Sequence, residues 1–186
     1  MLTISLQSKS ALTKISIKSI IATFLVIFAV ILPQIIHIAG GAQAGITYLP
    51  MYFPVLLGGL ILGWSFGLVV GVVSPVMSFL FTTYVLGTSM PTLERLPIMV
   101  IELAVWGLVS GLFSKLLNKN VWYVIPIVLI AQITGRLVAM VTYLAYGYAF
   151  DQILFILKTG ILGMILQFAF VPLIIYLLSV VIKKHD

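Results

Sequence analysis

Cysteine is absent from this chain, histidine occurs twice, and acidic residues number four in 186. Without cysteine there is no disulfide, no thiolate metal site and no cysteine nucleophile. Two histidines, one of them penultimate, are too few to build a metal site, so no metal or cofactor is expected. The signatures H-E-x-x-H and G-x-S-x-G are missing, as is a P-loop, so no catalytic activity and no ATP hydrolysis by the chain alone are expected. Charge of either sign is scarce as well: 8% of residues are charged, against roughly 25% in soluble domains.

What is abundant is apolar surface. Hydrophobic residues make up 62% of the chain, and the mean hydropathy is +1.28. A soluble fold of this size cannot bury that much, so the solvent must be lipid. A bilayer crossing takes about 20 residues, which predicts an all-α integral membrane bundle of six transmembrane helices in a single domain over residues 1–186. The expected spans are 17–36, 49–62, 67–85, 96–116, 121–143 and 152–182. Loops are expected at 37–48 and 86–95, tight links at 64–66 and 117–120, and an aromatic turn at 146–151. Span 6 is long enough to tilt or to bend at Pro172.

Residues 1–16 read as a short polar, basic tail. The apolar run that follows continues to a full span and has no A-x-A-like cleavage site, so an uncleaved first helix is expected. Lys9, Lys14, Lys18, Lys115, Lys119, Lys183 and Lys184 fall on one side of a six-span topology, and Arg95 with Lys158 on the other. The basic side is expected to be cytoplasmic, with both termini there, in a multi-pass protein of a bacterial plasma membrane. The net charge of +6 reads as topology in contact with membrane lipid, and no nucleic-acid partner is expected.

Only eight charged residues lie between Ser19 and Ile182, and three of them interrupt apolar stretches: Glu102, Arg136 and Lys158. A charge at mid-bilayer costs about 3 kcal/mol, so it faces a partner or a wet cavity. At 1.5 Å per residue, Glu102 and Arg136 each sit roughly 10 Å from the outer ends of spans 4 and 5, and Lys158 lies at a similar depth on span 6. One reading is a structural Glu102–Arg136 ion pair. The other is an outward-facing pocket for an anionic or zwitterionic ligand, since the planar arginine fork suits a carboxylate. Gln34, His37, Tyr52, Trp106, Gln132 and Tyr143 lie near the same level and complete the candidate ligand set. Gln167, nearer mid-membrane, reads as an interhelical hydrogen bond.

Gly59, Gly63, Gly67 and Gly71 form a ladder four residues apart, and Gly107 and Gly111 repeat the spacing. Small residues so spaced let helices approach closely in lipid. They serve either packing within the chain or docking of another membrane subunit.

The stretch Leu49-Pro50-Met51-Tyr52-Phe53-Pro54-Val55-Leu56-Leu57-Gly58-Gly59-Leu60-Ile61-Leu62-Gly63 resembles the P-x-x-x-P-V-L-L-x-G-x-x-x-G second helix of the substrate-binding S components of energy-coupling-factor vitamin transporters. Gly67 to Pro75, Met90-Pro91, Glu102 to Gly111 and Gly135-Arg136 are similar to that family too, so the resemblance covers most of 49–146. It implies a chain that binds a vitamin at the outer ends of its helices. It also implies joining a transmembrane coupling subunit with two ATPase subunits, and toppling in the membrane to release cargo. The family's Ala-x-x-x-Ala docking motif in span 1 has Ser19-x-x-x-Thr23 as its nearest match here, and the glycine ladder is a second candidate for that face. An arginine or lysine anchor favours pantothenate slightly, with cobalamin also open. The competing readings are a self-sufficient carrier or channel and a structural assembly protein.

Overall fold

The computed structural model describes residues 11–88 and 90–185. Most of the expected polar tail lies outside them, and residues 11–16 already belong to the first helix. Seven α-helices follow in order: α1 (Ala11–Tyr48), α2 (Tyr52–Leu62), α3 (Trp64–Tyr84), α4 (Leu96–Leu112), α5 (Val124–Ala145), α6 (Phe150–Thr159) and α7 (Ile161–His185). Two short 3-10 turns, Ser114–Asn118 and Val121–Tyr123, join α4 to α5. No strand occurs among the described residues. Six stretches are long and apolar enough to cross a bilayer, at Leu12–Gly41, Gln43–Leu62, Trp64–Tyr84, Leu96–Asn118, Val121–Ala145 and Phe150–Val181. The chain is a multi-pass helical membrane protein.

Three boundaries differ from the sequence reading, each at a glycine or proline. The expected loop at 37–48 is helical and breaks only at Gly41, whose φ of 71° leaves the helical region. The link expected at 64–66 is Gly63 alone, with φ 95°, and Trp64 already opens α3. Span 6 is divided at Gly160 into α6 and α7, while α7 runs on through Pro172.

The centre of the bundle is α2. Nine of its eleven residues are buried, including Val55, Leu56, Leu60 and Leu62, because it is enclosed by α1, α3 and α4. A helix apolar all round has no solvent face to present. The closest approach is between α3 and α4. A Cβ at Gly67 would collide with the Gly107 carbonyl, one at Gly71 with that of Leu103, and one at Gly59 with Ser110 and Gly107. The two glycine ladders therefore face each other inside the chain. Docking of another subunit on Gly59, Gly67 and Gly71 is corrected accordingly: the backbone of α4 fills that space. Gly63 has open space around its Cβ position and serves as the joint between α2 and α3.

By contrast α1 leaves Ile20, Phe24, Ile27, Ile31 and Ile35 exposed along one side. That stripe is stable only against lipid or another apolar surface. Ser19 and Thr23 are exposed on the same helix, and the Thr23 hydroxyl donates to the Ser19 carbonyl at 3.0 Å. At the start of α1, the Lys18 ammonium donates to the Leu62 carbonyl at 2.7 Å and lies 5.9 Å from the Phe66 ring centroid. It caps the C-terminal end of α2, where unpaired carbonyls favour a cation.

A candidate ligand cavity at one end of the bundle

The second membrane-crossing stretch is interrupted between the end of α1 and the start of α2. Leu49, which precedes Pro50, takes a left-handed φ of 49°. Proline disfavours the right-handed helical region for its predecessor, so the break falls where the sequence dictates it. Broken backbone at membrane depth is tolerated where protein or a cavity covers it. Here α7 supplies the cover: Gln167 Nε2 donates to the Leu49 carbonyl at 3.0 Å. Gln132 Nε2 donates to the Met164 carbonyl at 3.0 Å and reaches Gln167 Oε1 at 3.5 Å. This amide network ties α5 and α7 to the break. Replacing Gln167 with leucine strips the Leu49 carbonyl of its side-chain partner, and a melting experiment in detergent is expected to show a loss of about 1–3 kcal/mol.

Beside the break lies a cavity of about 240 Å³, far above the ~10–15 Å³ of such volume that a single water needs. It gathers the C-terminal ends of the odd-numbered spans and the N-terminal ends of the even-numbered ones. Its mouth is therefore at the end of the bundle remote from the start of α1 and the end of α7. Gln34, His37, Tyr52, Glu102, Arg136 and Tyr143 line it, as the sequence reading expected.

Glu102, Arg136 and Tyr52 form the polar heart of this cavity. Arg136 Nη1 lies 3.0 Å from Glu102 Oε1. The Tyr52 hydroxyl donates to Glu102 Oε2 at 2.8 Å. The guanidinium carbon sits 5.5 Å from the Tyr52 ring centroid, within cation–π range. Trp106 packs its ring at 70° to that of Tyr52 with centroids 4.7 Å apart, but it is fully buried behind the cavity and does not line it. A Cβ at Gly135 would strike the Trp106 indole, so the glycine preceding Arg136 is what lets the tryptophan pack against α5. Tyr52→Phe removes one hydrogen bond to a carboxylate, and is expected to lower the melting free energy by about 1.5–3 kcal/mol. An unchanged melt would show that this bond contributes nothing.

The Arg136 side chain is 11% exposed, yet its Nε and Nη2 have no hydrogen-bond partner. In a guanidinium these two nitrogens share one edge, the edge that a carboxylate takes side-on. Gln34 Nε2, also at the cavity, is likewise buried without a partner. Buried donors are almost always paired, and leaving one unpaired costs about 1–3 kcal/mol.

Besides Trp106, two of the expected ligand residues are placed elsewhere. Gln132 belongs to the amide network and does not line the cavity. Lys158 is exposed on α6 and does not line it either. Several lining residues were missed. Arg95, at the start of α4, adds a cation near the mouth. Met51, Met90 and Met99 supply a soft, adaptable apolar wall. The linker bearing Met90 is held by Thr82, whose hydroxyl donates to the Met90 carbonyl and accepts from the Met90 amide, both at 3.0 Å. Nothing in the residue types marked these positions, because methionine in an oily chain carries no signal and Arg95 sits in an ordinary loop.

Compared with known protein families, curated proteins and solved structures, the chain gives no match.

Proposed function

We propose that this chain is the substrate-binding component of an energy-coupling-factor type importer, and that its cavity holds a small carboxylate-bearing vitamin, with pantothenate the first choice. The observation that carries this reading is the half-satisfied Arg136, paired with Glu102 on one side and left with an unpaired donor edge on the other. With Glu102 neutralising Arg136, Arg95 leaves the cavity one positive charge in excess, which suits an anion. Gln34 adds a neutral donor for a carbonyl or hydroxyl. A small hydroxylated acid amide offers acceptors to both donors.

Topology supports the same reading. Lys14, Lys18, Lys115 and Lys119 lie at the end of the bundle opposite the cavity. The positive-inside preference then turns the cavity outward, as an importer requires. The exposed face of α1 with Ser19 and Thr23 is the surface proposed for the transmembrane coupling subunit, which would carry the two ATPase subunits. Calorimetry on the purified chain is expected to give one-to-one pantothenate binding, and mass spectrometry of the purified protein to find a co-purifying small acid. If no B vitamin binds, the reading is wrong.

The 3.0 Å contact between Glu102 and Arg136 favours a second reading, in which the pair only holds α4 to α5 in a structural membrane protein.

A further inference from the structure

We infer that Gly160, at the break between α6 and α7, is a positioning residue for the Arg136 guanidinium. The inference rests on the proposed ligand role of Arg136 for its functional meaning, though not for its geometry. Gly160 has φ −79° and ψ −3°, a conformation open to any L-residue. Its backbone therefore does not require glycine. Space does: a Cβ there would collide with Arg136 Nη2 and come within 3.0 Å of Leu49 Cδ1. The residue is buried, and its carbonyl accepts from the Met164 amide at 3.1 Å, which starts α7 on its course.

Three surfaces thus surround one guanidinium. Glu102 takes Nη1, the Tyr52 ring lies 5.5 Å from Cζ, the Gly160 backbone lies against Nη2, and the stem rises from α5. The atoms that Gly160 would displace are the tips of flexible side chains. An alanine at this position is therefore accommodated by moving the guanidinium, not by parting two helices. This sets Gly160 apart from Gly67 and Gly107, where a Cβ meets backbone. The break in span 6 consequently fixes where the Arg136 guanidinium lies, and so which part of it meets the cavity.

Arg95 and Arg136 are the only arginines in the chain, so a nitrogen-15 spectrum of the arginine Nε–H groups contains two signals. In Gly160→Ala the Arg136 signal is expected to shift and the Arg95 signal to stay. Both are read without any ligand, so failure of the vitamin reading leaves this test intact. With pantothenate as the probe, Gly160→Ala is expected to weaken binding about tenfold in the Arg136 background and little in an Arg136→Lys background, a coupling typical of touching side chains. If Gly160→Ala does not fold, Gly160→Ala combined with Arg136→Lys should recover folding, because the shorter side chain vacates the space. An unmoved Arg136 signal in the folded variant overturns the inference, as does additivity of the two substitutions or failure of the double variant to recover folding.

Discussion

Arg136→Ala is expected to weaken pantothenate binding by about 2–5 kcal/mol, the cost of removing a buried charged contact. The same change strands Glu102, which is 1% exposed and retains only the Tyr52 hydroxyl. Breaking a buried ion pair from one side typically costs about 3–5 kcal/mol of folding stability. The single variant therefore confounds ligand loss with misfolding. Combining Arg136→Ala with Glu102→Gln removes the uncompensated charge, and this double variant is expected to melt closer to the parent protein. Under the transport reading, the refolded double variant still fails to bind pantothenate by calorimetry. Under the structural reading, its stability returns and no ligand affinity is lost at any stage. Binding at parental affinity in a folded variant without Arg136 removes this residue from the ligand site.

Gly67→Leu is expected to prevent the bundle from forming, with a cost above about 3 kcal/mol, at or beyond the top of the usual overpacking range. The obstacle is the Gly107 carbonyl, which belongs to the ladder of α4 and cannot swing aside as a side chain would. Gly107→Leu meets the Gly67 carbonyl from the other side and should fail in the same way. A Cβ at Gly63 meets no atom, so the cost of Gly63→Ala is that of the positive φ alone, about 1–3 kcal/mol. Detergent melting and size-exclusion profiles distinguish these cases. A Gly67→Leu protein that folds and melts normally would mean that α3 and α4 do not approach closely. Pantothenate affinity in any folded fraction of these variants should stay near the parental value, since none of the three glycines lines the cavity.

The glycine ladders show how far spacing carries an argument. A four-residue repeat of small side chains specifies that some backbone will come close, but not which one. The partner is another ladder of the same chain, and this required α3 and α4 to be antiparallel neighbours in the right register. Gln132 and Gln167 make a related point. From the sequence Gln132 reads as a ligand side chain and Gln167 as an interhelical hydrogen bond. That Gln132 joins it, away from the cavity, depends on the rotation of α5. Gln132 and Arg136 are four apart and share a face, and only the positions of α7 and α4 decide which partner each meets. Lys158 likewise falls at the depth of the cavity, but α6 turns it outward.

Hydropathy and charge spacing were enough to establish six membrane crossings and to single out Glu102 and Arg136, because burying bare charge in lipid is costly whatever the fold. Six of the nine side chains expected at the ligand site do line the cavity, since depth along a helix follows from a rise of about 1.5 Å per residue. The direction around each helix does not follow from depth. Tertiary packing alone placed Gln167 over the break at Leu49, the methionine wall and Arg95 at the cavity, and Gly160 against the guanidinium. Each depends on contacts between residues distant in the chain, and in a sequence so uniformly apolar no periodic polar face exists to announce them.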